Sequence, residues 1–300
     1  MELKLKDLGK LLKSTFKAWN DKDPFRQSSV IAYYAIFSIP GLLVLIIAIT
    51  GYFFGKDAVN ENIINQISGT MGAETATSIK EMLIKVSQSK SSILASILSI
   101  GVLLMGATGV FVELQKSLND IWHVKVVKQN GLWLIVKARL FSFGLIVAIA
   151  FLLLVSLVVS TGLTALSDII KGYTSEFTVI IFNIVNFIFS LTVVSLLFAL
   201  MFKILPDAKI QWKHVWLGSL LTGLLFTIGK TALAFYFGTA NPASVYGAAG
   251  SIILILLWVS YSSMIVFFGA EFTAAYARRY TGKVPPMENA KAVPAKNIES

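Results

Sequence analysis

At 300 residues, with 56% apolar and 14% charged side chains and a mean hydropathy of +0.75, the chain carries too little charge for an ordinary soluble protein, which has about 25%. Having no cysteine, it has no disulfide framework and no thiolate metal site. The net charge of +10 would suit nucleic acid, but its distribution along the chain assigns it to membrane topology, so no nucleic-acid partner is expected.

Residues 1–27 are lysine-rich throughout, unlike a cleavable leader. Leu5, Leu8, Leu12, Phe16 and Trp19 fall on one helical face, with Lys6, Lys10, Lys13 and Lys17 on the adjacent flank. Such a helix either lies in the membrane surface against anionic lipid or packs, solvated, on the cytoplasmic side. Six apolar stretches follow, at about 28–55, 92–115, 138–162, 178–202, 214–238 and 248–277. Each has the roughly 20 residues needed to cross a 30 Å hydrocarbon core, and none has the alternation of a barrel strand. The expected fold is all-α and polytopic: a cytoplasmic amphipathic helix (1–27), a six-helix transmembrane domain (28–277) and a disordered cytoplasmic tail (278–300), rich in proline and polar residues. Within the 56–91 loop, Ile79, Met82, Leu83 and Val86 have helical spacing and predict a short helix on the outer surface.

Basic residues set the orientation. Segments 1–27, 116–139, 203–213 and the tail from 278 hold 20 of the 26 lysines and arginines, so both termini are expected in the cytoplasm.

Polar side chains inside the spans are the candidate functional residues. In the first span Gln27, Tyr34 and Ser38 share a face and Pro40 predicts a kink; they form either a tight helix seam or the wall of a polar cavity. In the second, Gly106, Gly109 and Glu113 share a face, with Lys116 one turn from the glutamate. The fourth carries Asn183 and Asn186, and the fifth Lys230 slightly past its midpoint. Glu271, near the end of the sixth, has Ala275 at i+4 and Arg278 two turns on. A cation from another helix is therefore expected, with Arg139, Lys137, Lys203 and Arg26 in range of the inner surface. Glu271, Glu113, Arg139 and Lys230 are candidate cavity or inner-gate charges; the alternative is structural, a Glu–Arg clamp for Glu271, an ion pair for Glu113 and a snorkelling Lys230.

His123 and His214 stand far apart, and no zinc-protease, P-loop, nucleophile-elbow or dinucleotide motif occurs. No metal, cofactor or catalytic residue is expected. "AYYAIFSIPGLL", "GATGVFVELQKSLNDIWHV", "LPDAKIQWKHVWLGSLLTG" and "YGAAGSIILILLWVSYSSMIVFFGAEFTAAYARR" together resemble the YihY/BrkB family of bacterial inner-membrane proteins. The resemblance runs from about residue 10 to 280 and implies six transmembrane helices. Family labels include virulence factor BrkB and ribonuclease BN, the latter without the zinc-binding His/Asp cluster it would need. Matching residues are Ala32, Tyr33, Ser38 and Pro40; Asn119 and Trp122; Pro206 and Trp212; and Gly269, Ala270 and Glu271. The expectation is an inner-membrane protein that moves or handles a lipid or small solute, with anionic lipid as its cytoplasmic-face partner. The rival is a scaffold that organises envelope proteins, or itself as a homo-oligomer, without transport.

Overall fold

The computed structural model describes residues 5–38, scattered helical positions between 64 and 84, 93–127, 176–240, 242, 246, 249–282 and 284–293. Among them the chain is mostly helical: α1 (Leu5–Asn20), α2 (24–38), α3 (Ile93–Ile121), α4 (Glu176–Ile204), α5 (Trp212–Ala240) and α6 (Gly250–Thr281). Stretches 180–204, 212–240 and 252–280 are long and apolar enough to cross a membrane, and they coincide with the fourth, fifth and sixth predicted spans. Their outer faces, carrying Ile180, Ile184, Phe187, Leu220, Ile228 and Phe235, are exposed. Large apolar side chains in such number belong against lipid rather than water.

Local chemistry sets the helix ends. Pro24 occupies the first turn of α2, where its missing N–H costs nothing. Asp23, at φ 52°, precedes it and accepts from the Arg26 backbone N–H at 3.4 Å. Gly282, at φ 78°, closes α6 by donating to the Arg278 carbonyl at 3.1 Å.

The chain divides into two compact units, Met1–Trp19, Lys116–Leu225 and Val266–Ser300 forming one, Asn20–Gln115 and Phe226–Ile265 the other. In the second unit α2 and α3 approach closely: a Cβ on Gly109 would overlap the Tyr34 ring, and one on Gly106 would meet the Tyr34 carbonyl and the Ser38 N–H at 3.0 Å. In the first, α5 and α6 meet through two reciprocal notches, the Thr273 side chain over Gly218 and the Thr222 side chain over Gly269. Each threonine hydroxyl donates to the carbonyl four residues back on its own helix, Thr222 to Gly218 at 2.6 Å and Thr273 to Gly269 at 2.7 Å. Each therefore presents a satisfied group to the facing backbone.

Three expectations need correction. The fold is not wholly helical, because β1 (Val124–Val126) pairs antiparallel with β2 (Ala290–Ala292). For the same reason the tail is ordered through 284–293: Lys209 N–H donates to Pro285 O, Met287 N–H to Asp207 O and Val293 N–H to His123 O. Its polar, proline-rich composition has no core of its own, and its order comes from partners far away in sequence. The packed face of α1 is also turned from the expected one. Leu11 and Thr15 are buried, Leu8, Leu12 and Trp19 partly so, and Phe16 is exposed.

Candidate functional site: a polar cluster at the ends of α3 and α6

The polar groups of the first unit gather where α3 and α6 end. Glu271 is 1% exposed, and its Oε2 lies 3.6 Å from Nη2 of Arg278. The expected interhelical cation is thus supplied within α6 itself. Seven residues are nearly two full turns, so both side chains share a face, about 10.5 Å apart along the axis. Helical side chains lean toward the N-terminus, so the long Arg278 reaches back to Glu271, a contact that backbone spacing alone hides. Its Nη1 donates to the Ile121 carbonyl at 3.3 Å, a group at the end of α3 that no helical N–H can satisfy. A cation there also meets the negative end of the α3 dipole.

A second knot lies beside the end of α3. Asp207, buried in the turn after α4, accepts from Asn119 Nδ2 at 2.8 Å on Oδ2 and from Asn289 Nδ2 at 2.6 Å on Oδ1. Its backbone N–H donates to Asn119 Oδ1 at 2.7 Å. Both carboxylate oxygens thus receive donors, as a buried carboxylate requires. Lys203 Nζ donates to the Ile210 carbonyl and tightens the same turn. Asp207 and Asn289 had escaped sequence reasoning. The only signal was the polar turn "LPDAK" placed between two apolar helices.

His214 is buried, its ring 5.9 Å from Tyr276, while Trp212 and Trp216 pair on the exposed side at 6.2 Å. Trp122, three residues after Asn119, is buried. Glu113 and Lys230 are half-buried on α3 and α5, and Asn186 is half-buried on α4. Gln27 is buried and donates to the Lys22 carbonyl at 2.7 Å, closing the α1–α2 turn, and Ser38 donates to Ala35 O at 3.2 Å. Pro40, Arg139, the Asn183 side chain and the residues of the expected outer-surface helix, Ile79, Met82, Leu83 and Val86, lie outside the described residues. Among the described residues no three His, Cys, Asp or Glu side chains stand together as metal ligands.

This arrangement holds charge out of water: a buried glutamate, an arginine that also grips a helix end, and a carboxylate–amide knot beside them. The Virulence factor BrkB family model matches residues 15–294. The chain belongs to the virulence factor BrkB family. A UPF0761 membrane protein of Saccharophagus degradans is 24% identical over 275 residues, covering 91% of this chain and 60% of that protein. Another, from Verminephrobacter eiseniae, is 29% identical over 58% of this chain and 40% of its own length. A Bacillus subtilis relative, named the ribonuclease-like protein YfkH, is 23% identical over 93% of this chain and 98% of its own. The chain thus spans 60% or less of the first two of these relatives. No solved structure matches. With membrane-length apolar helices and relatives named as membrane proteins, this member of the BrkB family is a multi-pass membrane protein.

Proposed function

We propose that the chain is a six-span protein of the bacterial inner membrane, with both termini in the cytoplasm, that moves or handles a lipid or small solute without catalysis. The observation that carries this reading is the Glu271–Arg278–Ile121 latch. A carboxylate 1% exposed sits beside an arginine that also ties down the end of a second helix. A headgroup or solute carrying its own charge could take over one arm of that latch, at which point the helix ends would be free to part. The non-enzymatic reading is supported by the two histidines and absent cysteines of the whole sequence, which leave little for a hydrolytic metal centre.

The test is flux of a labelled phospholipid and of small ions in vesicles holding equal amounts of the parent, Glu271→Gln and Arg278→Gln. Altered flux, with melting temperature within a few degrees of the parent, supports an inner gate. Unchanged flux, with both variants much less stable, makes the latch a structural clamp and removes the gate reading.

A further inference from the structure

We infer that α1 is a three-faced interfacial helix that seats in the inner leaflet and holds anionic phospholipid headgroups. The inference rests on the proposed orientation, with both termini inside, and not on what the protein moves.

Its first face is protein. Leu11 and Thr15 are buried, and Trp19 stands edge-on to Phe268 of α6, ring centroids 6.0 Å apart. That contact fixes depth. From Gly250 to Ala270 α6 carries no charge, about 31 Å of helix at 1.5 Å per residue, which matches the roughly 30 Å hydrocarbon core. Phe268 lies at the inner end of that run, so Trp19 stands at the inner boundary, the level where tryptophan concentrates. The three-residue link Asp21–Asp23 to the helix opening the first apolar stretch tethers α1 there as well.

The second face is Phe16. It is 58% exposed, although its ring lies 5.6 Å from that of Trp19. On a helix turning about 100° per residue it stands between the packed face and the lysines. A large aromatic is a poor choice for water beside three lysines, but a good one for the acyl boundary. The third face holds Lys10, Lys13 and Lys17, all exposed and within one narrow stripe about 60° wide. Protein, lipid and headgroup are thus met in order around one helix, and the lysine stripe complements the negative charge of phosphatidylglycerol or cardiolipin.

The cysteine-free chain makes the test clean. Single spin labels at Phe16→Cys and Lys13→Cys are read in nanodiscs of phosphatidylcholine with one quarter phosphatidylglycerol, for collision with oxygen and with a water-soluble nickel complex. Ile228→Cys, exposed on α5, is the hydrocarbon reference, and Glu288→Cys, exposed in the tail, the water reference. The label at 16 is expected to fall between the references but nearer that at 228, and the label at 13 nearer that at 288. In parallel, the phosphatidylglycerol-to-phosphatidylcholine ratio retained on purified protein is expected to fall about five-fold for each of Lys10→Gln, Lys13→Gln and Lys17→Gln, and less at high salt. A label at 16 that matches the one at 288 overturns the inference. So does a triple lysine variant that melts like the parent yet keeps its lipid ratio.

Discussion

Gly218 and Gly269 show how much of this structure depends on missing atoms. A methyl on Gly218 would lie 2.9 Å from Thr273 Cβ and 3.2 Å from its Cα, and one on Gly269 would lie 2.9 Å from Thr222 Cβ. Neither helix can yield without opening the other notch, which lies one turn away. Gly218→Ala and Gly269→Ala should each cost about 1–3 kcal/mol through overpacking. Thr273→Ala removes only a bond to its own helix and should cost under about 1 kcal/mol. Melting curves in detergent would check this, and Gly218→Ala with Thr273→Ala, which clears the hydroxyl but leaves Cβ 2.9 Å away, should recover only part of the loss. Additive losses would mean the notch is not shared. The polar knot is the other residue-scale test. Asn119→Ala removes two hydrogen bonds to Asp207, one of them to its carboxylate, and should cost about 2–4 kcal/mol. Equal stability in a denaturant or thermal series would refute that role. Asn119 was legible in the sequence as a motif residue, but its partner was not. Asp207 is 88 residues away, and single-residue patterns carry no information on such pairs.

At the scale of elements, the long apolar helices were legible because lipid imposes length and composition on them directly. The expected fourth and fifth spans, 178–202 and 214–238, fall within α4 (Glu176–Ile204) and α5 (Trp212–Ala240). The β1–β2 pair was not legible, since three residues of "VKV" and "AKA" are too short to show a period. An isolated two-stranded pair is marginal at best, and this one places Lys125 directly opposite Lys291, a repulsive cross-strand pair. The Asn289–Asp207 bond and the backbone bonds of 285–287 hold the tail beside it and offset that repulsion. Two outcomes follow. Lys291→Glu should stabilise the pair by about 0.5 kcal/mol, less in high salt. Asn289→Ala should speed amide exchange at Val127 and Val293, whose N–H groups flank the pair, while leaving α4 and α5 unchanged. Exchange that rises everywhere would instead make the tail part of the global fold.

At the scale of the whole molecule, the strap formed by β1, β2 and the tail's bonds to the Asp207 turn bears on topology. β1 follows the second predicted span, the Asp207 turn lies between the fourth and fifth, and β2 follows the sixth. These three segments hydrogen-bond to one another, so they must share one side of the membrane. An even number of crossings must then separate each from the next. Between the Asp207 turn and the tail, α5 and α6 supply two. Between β1 and that turn α4 is one helix long and apolar enough to cross, and the expected third span, 138–162, would make the number even. The expected six spans would put the amphipathic N-terminus on that same side, as the distribution of lysine and arginine predicts. Single cysteines at Lys13, Lys125 and Lys291, all exposed, should therefore react with an impermeant maleimide only after the inner face is opened, and one at exposed Glu81 should react from outside intact cells. Labelling of Lys13→Cys and Lys291→Cys from opposite faces would require an odd number of spans. Labelling of Lys125→Cys and Lys291→Cys from opposite faces would be incompatible with the strap itself, because two strands on different sides of a bilayer cannot pair.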